Sequence, residues 1–168
     1  MERRTLGRTG IEVSVLGFGA APLGLEYGEL DEAEGARAVR RAVELGVDFF
    51  DTAPYYGRTL SEERLGRALE GIRQEVVLAT KCCRYDKRDF DFTAERVARS
   101  IDESLGRLRT DYVDLFQIHD VEFGSEDAVV EETIPALRAI QESGKARAVG
   151  ITGLPVEMLG FGMDFVDP

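Results

Sequence analysis

Asp51 with Tyr55 and Tyr56 just beyond it, Lys81, the chain's single histidine His119 with Asp120, and Thr152 each fall at the end of a short apolar run. A free tyrosine titrates near ~10, too high for easy proton exchange at neutral pH. A neighbouring ammonium stabilises the phenolate and lowers that value, while a carboxylate keeps the lysine charged and oriented. An imidazole beside the phenol can hold a carbonyl or hydroxyl oxygen in line. Such a set moves a proton on and off an oxygen attached to carbon. No activated serine or cysteine nucleophile accompanies it, and a redox cofactor would complete the reaction by taking hydride from the same carbon. Singly, each residue has a plainer reading: a helix cap, a solvated lysine, a packed aromatic.

A metal hydrolase could use Asp51, His119 and Asp120. Barrel zinc sites draw on several histidines, however, and this chain has one, so no metal site is expected. Adjacent Cys82 and Cys83 on a strand would point to opposite faces, which fits core and rim packing better than a redox pair.

The elements that must position these residues follow from the hydrophobic pattern. Thr5 to Val13 reads as a small hairpin, and Val15 to Gly19 as a first buried strand. Asp31 with Glu34 opens a helix that ends at Gly46. Val47 to Asp51 is a second strand, and Ser61-Glu62-Glu63 caps a helix carrying Leu65, Leu69 and Ile72 on one face. Glu75 to Lys81 is a third strand. Thr93 opens a helix with Val97, Ile101, Leu105 and Leu108 on one stripe. Tyr112 to His119 is a fourth strand, followed by a helix with Val130, Ile134, Leu137 and Ile140 on its stripe. Ala146 to Thr152 is the fifth, and Pro155 starts a stub of helix.

Strands that are apolar on both faces and alternate with helices imply parallel βα units. Two α/β architectures compete, an open doubly wound sheet and a (β/α)8 TIM-type barrel. Gly17-Phe18-Gly19-Ala20-Ala21-Pro22 places proline where a dinucleotide-binding turn needs its third glycine, which disfavours the open sheet. In a barrel the strand ends share one rim, and that rim carries the chemistry.

The 168 residues, 43% hydrophobic and 32% charged, suit a single domain over 1–168 and exclude a disordered tail. No apolar run approaches the ~20 residues of a membrane-spanning helix. Met1-Glu2-Arg3-Arg4 does not lead into a secretory signal. Adjacent cysteines cannot staple a loop, which fits a reducing, cytoplasmic setting. A net charge of −11 repels phosphodiesters, so nucleic acid is a poor partner.

Asp51-Thr52-Ala53-Pro54-Tyr55-Tyr56-Gly57 resembles the Asp-Thr-Ala-x-x-Tyr-Gly signature of the aldo-keto reductases. Leu16 to Gly19, Ser61-Glu62, Ala79-Thr80-Lys81 and Asp111 to Asp114 leading to His119 keep the family's order. Ser100 to Leu105, His119 to Gly124 and Gly150 to Pro155 are similar to the aldose dehydrogenases of the L-galactose dehydrogenase group. The resemblance implies a (β/α)8 barrel, an NAD or NADP cofactor, and a small sugar or carbonyl substrate. It implies oxidation of an aldose to its lactone; the alternative is NADPH-dependent aldehyde or ketone reduction. Tyr56 would be the acid–base, Lys81 would tune it, Asp51 would hold Lys81 and touch the ribose, and His119 would position substrate. Gly19, Ala20 and Ala21 would line the nicotinamide pocket. Thr152-Gly153 stands where many relatives have Ser-Asn for the carboxamide, leaving Thr152 to donate a hydroxyl bond.

A full barrel takes ~250 residues, so the sequence is expected to cover about five βα units behind an N-terminal hairpin. Its outer strands would then expose backbone edges open to self-association. Met158, Leu159 and Phe161 would lack cover, and the chain alone would bind dinucleotide weakly and be a poor enzyme, a truncated fragment.

Overall fold

The computed structural model describes residues 1–162 and Asp167. A hairpin of β1 (Arg3–Thr5) and β2 (Glu12–Ser14) leads into β3 (Gly17–Gly19), α1 (Glu32–Glu44), β4 (Phe49–Asp51) and α2 (Leu60–Ala68). Next come β5 (Val77–Cys82), a second hairpin of β6 (Arg84–Asp86) and β7 (Asp89–Phe90), α3 (Ala94–Leu108) and β8 (Val113–Ile118). α4 (Glu126–Ala128), a π-helical stretch over Val129–Thr133 and α5 (Ile134–Glu142) follow, then β9 (Ala146–Ile151) and α6 (Val156–Gly162).

The central sheet is parallel throughout, in the order β3-β4-β5-β8-β9. Each strand lies beside the one before it in sequence, so the order never reverses. A doubly wound sheet needs such a reversal at its ligand crevice, whereas a barrel wall advances in one direction. The sheet is therefore a (β/α)8-type wall of five strands.

Side-chain parity sets what each face carries. Leu78, Cys82, Phe50, Phe116 and Ile118 face the helices and join the larger core with Leu65, Val97, Ile101, Leu105, Leu108 and Leu137. Val77, Ala79, Leu115 and Ala148 face the other way, where Ile11 and Val13 of the first hairpin pack against them. Lys81, two residues on from Ala79, and Asp51, two on from Phe49, continue that inner face to the strand ends. No helix among the described residues is long and apolar enough to cross a membrane.

Local signals held where they were strongest. Asp31 caps α1 by accepting from Glu34 N–H at 3.0 Å, and Thr93 caps α3 by accepting from Arg96 N–H. Gly46 and Gly144, just beyond α1 and α5, take positive φ. Four expectations need correction. The first strand is short and not buried: Val15 and Leu16 are exposed, because β3 is an edge of the sheet. Thr59 rather than Ser61 is the N-cap of α2, and that helix ends at Ala68, before Ile72. Val129, not Val130, is buried on the fourth helical stretch. The π turn inserts one extra residue, so five positions rather than four separate Val129 from Ile134 on the shared face. Cys83 leaves the strand with φ 73, which ends the alternation: both thiols are fully buried, 3.5 Å apart, and neither is at the rim.

At the other edge, Asp167 N–H donates to Val149 O of β9 at 3.0 Å. In the predicted stub, Leu159 is half-buried, and the side chains of Met158 and Phe161 lie outside the described residues.

Candidate active site

Parity brings Asp51 and Lys81 to the same face of adjacent strands, and their side chains meet. Lys81, 4% exposed, donates from Nζ to Asp51 Oδ2 at 2.6 Å, to Thr52 O at 2.9 Å and to Tyr56 Oη at 3.3 Å. All three ammonium hydrogens are thereby directed, one of them at the phenol. Ion pairing with Asp51 and the two neutral acceptors let the lysine stay buried and charged.

Tyr56 is held from its main chain. A Cβ on Gly24 would lie 2.6 Å from Tyr56 C and O, and one on Gly57 would lie 2.2 Å from Gly24 O. Only glycines allow the two loops to cross this closely, and Gly57 has φ 64 besides. Behind the crossing, Ser61 donates to Ala20 O at 2.7 Å and shares a 2.9 Å hydrogen bond with Thr52 Oγ1. Glu62, fully buried, accepts from Thr80 Oγ1 at 2.6 Å and Arg107 Nε at 2.7 Å, tying the strand beside Lys81 to two helices. Ser61-Glu62 reads as a helix cap in sequence; no local signal announces its bracing role.

His119 completes the group. Its ring meets Tyr56 edge-on with centroids 5.6 Å apart, and Tyr55 at 5.8 Å. Tyr55 also carries the Arg84 guanidinium over its face at 3.8 Å, and Arg84 forms an ion pair with Asp120. Arg84 sits on the β6–β7 hairpin, which is too short to carry a hydrophobic pattern in the sequence.

Burial pushes the Tyr56 phenol above its ordinary value, and Lys81 offsets this only in part. The expected net lowering by lysine is therefore corrected: desolvation of the phenolate outweighs the ammonium. Burial likewise pushes the Cys83 thiol well up, leaving it a poor nucleophile.

For His119, burial and then the Lys81 ammonium hold the imidazole down at about 4, against an ordinary 6.5, despite Asp120. His119 is neutral at pH 7, and its Nδ1 has no hydrogen-bond partner among the described residues. Between those two values the unfolded chain takes up a proton that the folded chain refuses, so stability falls as pH drops through that window. The full loss is on the order of 3 kcal/mol. Urea midpoints from pH 7 to 4 should fall more steeply for the natural chain than for His119→Gln. Parallel slopes would contradict the assignment.

Of the other sequence-derived positions, Gly19 and Ala21 reach the surface, but Ala20 is fully buried in the core. Thr152 Oγ1 accepts from Asp120 N–H at 3.3 Å and donates to Ile118 O at 3.1 Å. That hydroxyl thereby links the ends of β8 and β9.

With this geometry in view, residues 15–160 match the aldo/keto reductase family. The chain belongs to that family. It is 53% identical to the L-galactose dehydrogenase of Arabidopsis thaliana over 171 residues, covering 100% of this chain and 53% of the relative. It is 32% identical to a D-threo-aldose 1-dehydrogenase of a Pseudomonas species, covering 89% of this chain and 53% of the relative. Among solved structures, a holo-form aldo-keto reductase from Bacillus halodurans superposes with a TM-score of 0.86 at 34% identity, over 98% of this chain and 54% of that one. The chain thus spans about half the length of the curated relatives it matches. The stretch that resembles the aldo/keto reductase signature, Asp51 to Gly57, is the one that crosses Gly24 and delivers Tyr56 to Lys81.

Proposed function

We propose that this chain supplies the proton-transfer centre of an NAD(P)-linked oxidoreductase that oxidises the anomeric carbon of an aldose to a lactone. The observation that carries the reading is the Asp51–Lys81–Tyr56 chain of contacts beside a neutral His119.

The residues at the ends of β3 and β4 suit a nicotinamide ribose. A Cβ on Gly19 would meet nothing within 4 Å, so the space there is open. Asp51 lies level with Gly19 across the strand pair and keeps 31% of its side chain exposed, with one oxygen on Lys81 and the other open to a ribose hydroxyl. A bound oxidised nicotinamide supplies the hydride acceptor and a second positive charge beside the phenol.

The chain's own residues do the rest. Tyr56 Oη takes the proton from the C1 hydroxyl as that carbon is oxidised. Lys81 stabilises the phenolate form that accepts this proton, and Asp51 keeps the ammonium pointed at it. His119, uncharged, donates one hydrogen bond to a substrate oxygen without competing for the proton.

A second reading, reduction of aldehydes or ketones with NADPH, is favoured by one observation. Burial keeps Tyr56 protonated, the form a reduction consumes. Initial rates of aldoses with NAD and NADP, against aldehydes with NADPH, separate the two directions when measured on the full-length protein carrying this sequence. Faster aldose oxidation supports the first reading. Absence of nicotinamide turnover in either direction would overturn both.

A further inference from the structure

Among the described residues, no hydrogen bond orients the His119 ring. Its Nδ1 is buried without a partner, and its Nε2 lies 3.9 Å from Asp120 Oδ1, beyond hydrogen-bond distance. A histidine ring turns easily about its last torsion, and a bond to one nitrogen usually fixes it. Here the restraint is aromatic. Tyr55 and Tyr56 meet the imidazole edge-on, at interplanar angles of 75° and 82°.

Tyr56 is held by its crossing with Gly24 and by Lys81. Tyr55 is held by Arg84, whose Cζ lies 3.8 Å from the ring centroid. Arg84 is anchored in its turn. Its Nη1 pairs with Asp120 Oδ2, and the Asp120 N–H donates to Thr152 Oγ1 at 3.3 Å. Phe90 and Phe123, stacked 4.4 Å apart, have centroids 5.4 and 5.9 Å from Arg84 Cζ. A guanidinium suits this double duty, because its flat face stacks while its edge pairs with a carboxylate. His119 adjoins both ends of the clasp: Asp120 follows it in the chain, and Tyr55 lies against its ring.

We propose that Arg84 is a positioning residue that fixes the His119 imidazole through Tyr55 and Asp120. The inference rests on the reading above in one respect, the use of His119 as a donor to a substrate oxygen. A donor free to turn spends less time aimed at that oxygen, and small misplacements cost about 10²-fold in rate. Lysine at this position keeps the charge for Asp120 but offers Tyr55 no flat face.

The test is a double-mutant cycle on the full-length protein carrying this sequence. Arg84→Met should lower kcat/KM about 10- to 100-fold when His119 is present, and within about threefold in a His119→Gln background. Arg84→Lys should fall between the natural enzyme and Arg84→Met. The spectroscopic readout needs no turnover. The carbon-bound imidazole protons of His119, assigned by their loss in His119→Gln, lie within the ring currents of two tyrosines. In Arg84→Met their NMR signals should move toward ordinary histidine positions, and in Arg84→Lys they should move less. Equal losses in both backgrounds, no loss when His119 is present, or signals that stay in place would overturn the role of Arg84. Absence of nicotinamide turnover in the natural protein would overturn the oxidoreductase reading instead, and the NMR signals would still decide whether Arg84 holds the ring.

Discussion

Replacing Tyr56 by Phe should lower turnover on the order of 10³-fold while leaving dinucleotide affinity within about twofold. The substitution removes one oxygen and little else. The ring keeps its edge-on contact with His119 and its place under Lys81, whose Nζ lies 4.9 Å from the ring centroid. Lys81 keeps its bonds to Asp51 and Thr52 O, so the ammonium stays satisfied. The phenol acts on the reacting oxygen and not on the dinucleotide, hence the separation of rate from binding. Rates and calorimetric titrations with the same preparation check it. A variant retaining most of its activity would remove Tyr56 from its assigned role.

Lys81→Met should also cost orders of magnitude in rate, about 10²-fold or more, for a different reason. Methionine fills much of the same buried volume, and Asp51, with 31% of its side chain exposed, can be hydrated when its partner is gone. What disappears is the one positive charge aimed at the phenol. Burial already pushes Tyr56 upward, and without Lys81 nothing in its immediate contacts opposes that push. Aldose oxidation by the variant should therefore recover only at a more alkaline pH than in the natural enzyme. A rate loss with an unshifted pH profile would reduce Lys81 to a packing role.

How these residues come together was partly legible in the sequence. Asp51, Lys81 and His119 each end an apolar run, and strand parity alone puts them on one face of neighbouring parallel strands. The stripe of α3 was equally plain, because Val97, Ile101, Leu105 and Leu108 are spaced by local geometry. What depended on long-range packing was not legible. Arg84 reaches Asp120 across 36 positions, through a hairpin too short to show a hydrophobic pattern. Glu62 looked like a charge at a helix start, yet Thr80 and Arg107 draw it into the core. The π turn displaced the stripe from Val130 to Val129, a shift that no residue type announces. Thr152 stands just beyond β9 as expected, but its bonds to Ile118 O and Asp120 N–H join strand ends more than 30 positions apart and no local pattern announces them.

The most direct test of the proton and hydride leaving one C–O unit at Tyr56 is to follow the hydrogen on C1. An aldose deuterated at C1 is turned over with oxidised nicotinamide by the full-length protein carrying this sequence, and the reduced cofactor is analysed by mass spectrometry. One deuterium per reduced nicotinamide, with slower turnover than the unlabelled sugar and with the label lost in parallel with activity in Tyr56→Phe, is the expected result. Deuterium released to water, or sugar oxidised with no label in the nicotinamide, would contradict the account.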